Sequence, residues 1–247
     1  MKTPKDIPEA CANCGIRNRG VCAHLYAEEL SKLDSLSRRR RYRPGETIVM
    51  EGSRGVVGNV IDGTLVERKT MADGREQIVS LLFSADFLGT PLSNQADATV
   101  DAVSDVMLCT FDRDQFEAAA ADLPGLSAAV HEQARAELAL AREWMLLLGQ
   151  KRAIERIATF LLRLVNRRLN VTCLHNFDDL MDDAQTLMIP ISRRQIADFL
   201  GLTTETVSRK FGELRDLGVI DIADARHITV HSLPRLRAAA GFVDELA

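Results

Sequence analysis

The sequence lacks any long apolar run. None of its uncharged apolar stretches approaches the roughly 18 residues that a membrane-spanning helix needs, and the amino end has no stretch that could form the core of a signal peptide. Its five cysteines among 247 residues are too few for a secreted disulfide scaffold. We therefore expect a cytoplasmic protein with reduced thiols and no membrane span.

Motifs of common enzyme classes are also missing. The chain has no nucleotide-binding glycine motif, no H-E-x-x-H and no G-x-S-x-G, so we predict that it is not an enzyme. The net charge of −4 argues against a surface coated in positive potential. Basic residues do concentrate in the range 151–170, which predicts a local basic surface there.

The patterning divides the chain into four segments, which we predict to be a cysteine-containing segment (1–25), a sensor domain (26–125), a dimerisation helix (126–149) and a DNA-binding domain (150–247). In the second segment, glycines separate short β-rich runs, and Ala72-Asp-Gly is a strong hairpin signal. Many short strands at such spacing predict an antiparallel sandwich or roll.

The third segment carries one apolar stripe. Its members recur at separations of 4, 4, 3, 4 and 3: Val130, Ala134, Leu138, Ala141, Met145 and Leu148. A globular surface helix and a two-stranded coiled coil both have such a stripe. The uncapped length of about 25 residues favours a helix that pairs with its own copy. Glu143 lies beside the stripe.

The range 191–214 has the pattern of a helix-turn-helix. Ala197 is small enough for two backbones to cross, Gly201 tolerates a left-handed turn, and Val207 can plug the joint. Thr203 or Thr204 can cap the second helix. Two β-rich runs follow, Ile220-Asp-Ile and His227-Ile-Thr-Val, and predict a short wing. A helical hairpin that merely packs a core is the alternative interpretation.

Three polar residues share one outward face near the start of the second helix: Glu205, Ser208 and Arg209. In a major groove, arginine can bind guanine O6 and N7, glutamate can accept from cytosine N4, and serine can contact a base or a phosphate. A solvated i,i+4 ion pair between Glu205 and Arg209 is the alternative.

Three cysteines lie close together near the amino end: Cys11, Cys14 and Cys22 form a C-x2-C-x7-C pattern. Because their segment has too few apolar residues for a core of its own, a metal or a cluster is expected to order it. Zinc bound by these three cysteines and His24 is the main rival to an iron–sulfur cluster, and the spacing does not separate the two.

Over nearly its whole length the chain resembles the CRP/FNR transcription regulators, in the order of glycine-rich roll, long helix and winged helix-turn-helix. The Glu205-x-x-Ser208-Arg209 pattern is similar to that of FNR, the oxygen-responsive iron–sulfur branch. The resemblance implies an α+β fold with an antiparallel, cyclic-nucleotide-binding-like β-roll. It also implies a homodimer that binds palindromic double-stranded DNA of the TTGAT type and cooperates with RNA polymerase.

The same resemblance implies the cofactor. FNR-like proteins hold an oxygen-labile 4Fe-4S cluster with three amino-terminal cysteines and a fourth at the end of the roll, where Cys109 stands. The seven-residue gap before Cys22 departs from the five-residue gap of the best-known members. The resemblance further implies that Glu143 repels its symmetry mate in the cluster-free protein, which keeps that form monomeric.

Other sequence features have less specific interpretations. No arginine follows the Asp86-Phe-Leu-Gly turn, where cyclic-nucleotide binders place one for the phosphate, so we expect no cyclic nucleotide. The arginine run 38–41 is typical of a solvated edge, and Cys173 is interpreted as structural. The remaining rival function is that of an interaction protein in which zinc is purely structural.

Overall fold

The computed structural model describes residues 7–89, 95–169 and 184–242. They form two units that divide between Ala141 and Arg142, inside one long helix. The sequence patterning instead predicts a separate segment for this helix, over residues 126–149. No helix in the described ranges is both long and apolar enough to cross a membrane. Cys173 lies outside the described residues.

The first unit contains eight strands: β1 (Ser37–Tyr42), β2 (Thr47–Val49), β3 (Val57–Asp62), β4 (Leu65–Thr70), β5 (Glu76–Leu82), β6 (Phe87–Leu88), β7 (Thr99–Ala102) and β8 (Val106–Phe111). They form two antiparallel sheets within the described residues, with strand orders β1-β8-β3-β6 and β2-β7-β4-β5. The predicted antiparallel roll is therefore confirmed.

Alternating side chains give the roll two cores. Leu108 of β8 packs between the sheets with Val60 and Leu65, whereas Phe111 packs in a second core with the surrounding helices, because successive side chains of a strand face opposite sides. The predicted hairpin joins β4 to β5, and Gly74 has a φ of 84° there.

Helices flank the roll. Before it come α1 (Glu9–Ala12), a 3-10 turn (Gly20–His24) and α2 (Ala27–Leu36); after it come α3 (Arg113–Asp122) and α4 (Pro124–Gln150). The predicted long helix thus exists and spans about 40 Å at 1.5 Å per residue. The sequence interpretation missed α3, which stands between Cys109 and α4.

The cysteine segment has no core of its own, as the sequence predicts, but its apolar residues join a core that it shares with the roll and its helices. Ile16 and Val21 are buried, and Val21 and Leu25 join the second core together with Leu30 of α2 and Leu126 of α4. A few well-placed apolar residues suffice because the roll and its helices supply the rest of the surface that they bury.

The second unit begins within α4 and continues with α5 (Ala153–Leu169), β9 (Gln185–Met188), α6 (Arg193–Leu200), α7 (Thr204–Asp216), β10 (Ile220–Ile222), β11 (His227–Val230) and α8 (Leu233–Ala239). The two predicted wing strands are β10 and β11. They form a sheet in the order β10-β11-β9. The sequence interpretation missed β9.

Candidate functional site

The four predicted cysteine ligands lie in one neighbourhood. Cys11 lies near the carboxyl end of α1, and Cys14 follows that helix. Cys22 is in the 3-10 turn and Cys109 is in β8. All four are free, partly buried thiols. Burial, with a smaller contribution from the nearby thiols of Cys109, Cys11 and Cys14, raises the pKa of Cys22 to about 12. Residues almost a hundred positions apart are thus close enough to affect one another's charge.

Short turns and buried anchors shape the cysteine segment. The amide of Cys14 donates to the carbonyl of Cys11 at 3.2 Å, and the amide of Arg17 donates to the carbonyl of Cys14 at 3.1 Å. Val21, only 1% exposed, fixes the 3-10 turn in the second core. Cys22 and Cys109 both pack against that core. The cysteine segment is therefore anchored on the same core as Cys109 of β8.

The strands on either side of β8 contribute residues to the site. Asn59 of β3 is opposite Cys109, is 1% exposed, and donates through Nδ2 to the sulfur of Cys22 at 3.7 Å. A Cβ on Gly58 would lie 2.3 Å from the carbonyl oxygen of Cys109, so this close pairing requires glycine. Arg39 of β1 is opposite Cys109 on the other side.

The electrostatics favour protonated thiols while no metal is bound. Burial raises the pKa of Cys11 to about 12, helped by Asp34, whose Oδ1 accepts from the Cys11 thiol at 3.4 Å. Burial also raises the pKa of Cys109, against the lowering effects of Ser37 and Arg39. Thiolate ligands would therefore form together with metal binding, which releases protons.

The donor set fits iron–sulfur chemistry. Four cysteine thiolates are the usual ligands of a 4Fe-4S cluster, and each binds a different iron atom. Around one zinc ion all ligands meet a single atom at about 2.0–2.3 Å. Among the described residues, no three His, Cys, Asp or Glu side chains are grouped to hold one metal ion. His24 is exposed and lies near Glu132 of α4.

The predicted helix-turn-helix is confirmed. Gly201 ends α6 in the left-handed conformation, with a φ of 62°. Thr203 caps α7 by accepting from the amide of Thr206 at 3.1 Å. Ala197 and Val207 are buried at the crossing. The residues that the sequence predicted for the turn and the crossing therefore do join α6 to α7.

The outward face of α7 carries the three predicted DNA-reading side chains. Glu205, Ser208 and Arg209 are all exposed, and the Ser208 hydroxyl donates to the carbonyl of Thr204 at 3.0 Å. Within the part of the chain that the structure describes, no ion pair joins Glu205 to Arg209. Both side chains therefore extend towards solvent.

Two partly buried arginines hold the helices of this unit together. Arg156 of α5 donates to three backbone carbonyls, those of Leu148, Lys151 and Leu200, at 2.8–2.9 Å. It thereby ties the ends of α4 and α6 to α5. The guanidinium of Arg193 lies 3.3 Å from the ring centroid of Phe211 in α7. The sequence interpretation placed Arg156 in a basic surface and gave Arg193 no role.

Several of the basic residues predicted to form a surface over 151–170 have partners within the chain. Lys151 donates to Thr159 and to the carbonyl of Ala240, both at 2.8 Å. Arg152 pairs with Glu155, and Arg156 is committed to backbone carbonyls as above. Much of this positive charge stabilises the second unit instead.

The predicted seam of α4 divides into exposed and buried positions. Leu138 and Met145 are 53% and 71% exposed, and Ala134 and Ala141 are exposed too. Leu148 is partly buried. Val130 is 6% exposed and packs in the second core, so the chain itself already covers it, contrary to its predicted place in the seam. Glu143 forms an ion pair with Arg163 of α5.

Comparisons with known proteins agree with this architecture. A cyclic nucleotide-binding domain model matches residues 39–122, and a Crp-like helix-turn-helix domain model matches residues 155–239. The transcriptional activator protein FnrL of Cereibacter sphaeroides is 39% identical over 236 residues, which cover 95% of this chain and 93% of FnrL. The chain belongs to the CRP/FNR family.

Other CRP/FNR members are nearly as similar. The nitrogen fixation regulation protein FixK of Bradyrhizobium diazoefficiens is 38% identical over 213 residues, 86% of either chain. The structure of FixK2 from Bradyrhizobium japonicum has a TM-score of 0.72 and 31% identity, and the match covers 82% of this chain and 96% of FixK2. The protein is accordingly a DNA-binding transcription regulator of the FNR/FixK type, not an enzyme.

Proposed function

We propose that this CRP/FNR regulator is an oxygen sensor. Cys11, Cys14, Cys22 and Cys109 would bind an oxygen-labile 4Fe-4S cluster, and the loaded protein would bind inverted repeats of the TTGAT type as a homodimer. The observation that carries the proposal is the gathering of these four partly buried thiols in one neighbourhood. All four candidate ligands are cysteines, and cysteine thiolates are the usual ligands of iron–sulfur clusters.

The packing gives the cluster site a route to the dimerisation helix. Cys22 and Cys109 rest on the same core as Leu126 and Val130 of α4. The carboxylate of Glu29 accepts from two amides, that of Tyr26 after the cysteine segment at 3.0 Å and that of Gly125 in the first turn of α4 at 2.8 Å. Changes in the cysteine segment would therefore reach α4 through directly contacting residues.

The exposed apolar positions of α4 supply the dimer surface of the proposal. Leu138, Met145 and Leu146 are each more than half exposed, which is unusual for large apolar residues on one helix. A second copy of the chain would cover them. In each half-site, Glu205, Ser208 and Arg209 would contact base edges. The protein would act in the cytoplasm together with RNA polymerase.

The roll offers poor chemistry for a cyclic nucleotide. Burial, with smaller contributions from the carboxylates of Glu137, Asp86 and Asp97, raises the pKa of Glu67 to about 7. A group of acids beside α4 would repel a phosphate, and the sequence from Gly89 to Thr99 contains no arginine to bind one. We therefore propose that no cyclic nucleotide regulates this protein.

Metal analysis tests the proposal against the structural zinc alternative. Protein purified without oxygen should contain iron and acid-labile sulfide in equal amounts and have a brown colour. Changing any of Cys11, Cys14, Cys22 or Cys109 to serine should remove the iron, because each would ligate a separate iron atom. Cys173→Ser is the matched control and should retain the iron. Stoichiometric zinc without iron in the wild-type protein would contradict the proposal.

A further inference from the structure

The arginine run of β1 is not a uniform solvated edge. Arg38 to Arg41 occupy four consecutive strand positions, all exposed. Because successive side chains alternate in direction, Arg39 shares the face of its cross-strand partner Cys109, whereas Arg40 is opposite Leu108, which points into the roll. Neighbouring arginines of the run therefore lie in chemically different environments.

Arg39 reaches the cysteine segment. Its Nη2 donates to the carbonyl oxygen of Ala10 at 2.5 Å, and Ala10 immediately precedes Cys11. Its backbone lies beside that of Cys109 in the β1–β8 ladder. One side chain thus connects β1, which pairs with the strand that carries the fourth cysteine, to α1, which carries the first, across 29 residues of sequence.

The charges around the thiols make this position significant. Asp34 accepts from the Cys11 thiol and opposes its ionisation, whereas the guanidinium of Arg39 acts on Cys109 in the opposite sense. Four thiolates carry more negative charge than a 4Fe-4S core carries positive charge, so the loaded site is an anion. Net charge near a cluster is one of the factors that set its reduction potential.

We propose that Arg39 is a positioning residue of the cluster site: it ties the cysteine segment to β1 and supplies a counter-charge to the bound cluster. The counter-charge part rests on the function proposed above, and the tether part does not. Arg38 and Arg40 face the other side of the strand and have neither role.

Three variants separate the two roles. Arg39→Gln removes the charge and shortens the side chain, Arg39→Lys keeps the charge, and Arg40→Gln removes the same charge from the neighbouring position. Hydrogen–deuterium exchange of residues 7–25 in the metal-free protein measures the tether. The midpoint potential of the anaerobically loaded protein measures the counter-charge.

Arg39→Gln should speed amide exchange in residues 7–25 by roughly three- to tenfold, the range for losing one ordinary hydrogen bond at an exposed site. It should also lower the midpoint potential, because reduction adds negative charge that Arg39 no longer offsets. Arg39→Lys should retain a potential near that of the wild type, and Arg40→Gln should match the wild type in both measurements.

The proposal is overturned if Arg39→Gln behaves like Arg40→Gln in either measurement, or if Arg39→Lys lowers the potential as much as Arg39→Gln does. Wild-type protein that takes up no iron would refute the proposed cluster function before any variant is compared. In that case the counter-charge role falls with it, and the exchange measurement on metal-free protein still decides the tether.

Discussion

At the scale of single residues, the site is formed by side chains whose types look ordinary in the sequence. Asn59 interrupts an apolar run, where asparagine is disfavoured in strands, and the structure shows it buried against Cys22. Glu29 is an unremarkable helix glutamate whose carboxylate joins two helix starts. Their roles depend on partners distant in sequence, which no local pattern reveals.

Arg209 is the residue whose role in DNA reading is most easily tested. Arg209→Ala should cost roughly 1–3 kcal/mol at the cognate guanine and relax specificity there, because a bidentate arginine–guanine contact discriminates against other bases. Competition binding against single-base variants of a TTGAT-type repeat, at fixed salt and without oxygen, measures this.

Arg215→Ala is the matched control, since it removes the same charge from the far end of α7, where Arg215 pairs with Asp216. It should leave base preference unchanged. Equal loss on every sequence for Arg209→Ala would instead identify Arg209 as a phosphate contact.

Glu67 should make stability depend on pH. Its pKa is raised to about 7, first by burial, so the folded state holds a proton that the unfolded state releases near pH 4.5. The contribution of this bound proton to the free energy of unfolding is therefore present below about pH 4.5 and is lost as the pH rises through about 7. Glu67→Gln should raise the free energy of unfolding at pH 8 by up to about 3 kcal/mol and have little effect at pH 4.5.

Urea denaturation at both pH values measures this effect. Glu46→Gln is the control for the removal of a carboxylate, because Glu46 is an exposed glutamate of the roll. A Glu67→Gln variant no more stable than wild type at pH 8 would show that Glu67 is ionised without cost.

At the scale of elements, local sequence patterns predict the structure correctly where the residues of the element itself determine its geometry. Gly201, Thr203 and Val207 form the helix-turn-helix joint that their spacing indicates. The apolar period predicted α4, but not which stripe residues the chain buries itself. Val130 is covered because α2, α3 and the roll meet at the start of α4, and a period alone contains no information about such neighbours.

Met145 tests the proposed dimer surface of α4. It is 71% exposed, and Met145→Glu would place like charges across a symmetric seam and should shift the protein from dimer to monomer in sedimentation. Ala136→Glu is the control, because residue 136 is exposed on the opposite side of the same helix. A Met145→Glu protein that remains dimeric would place the seam elsewhere.

At the scale of the whole molecule, the sequence predicted the order of roll, long helix and winged helix-turn-helix, because each has its own repeat of apolar and turn residues. It did not predict α3, β9 or the core beneath the cysteine segment. Those features depend on which surfaces meet in three dimensions. The same holds for Arg39, since nothing in a run of four arginines distinguishes the one opposite Cys109.

The four gathered cysteines are proposed to hold an oxygen-labile cluster. The visible absorption spectrum of protein purified without oxygen, recorded under argon and then in air, tests it most directly. We expect a broad brown absorbance under argon that bleaches after air is admitted. A colourless protein under argon, or an absorbance that air leaves unchanged, would contradict it.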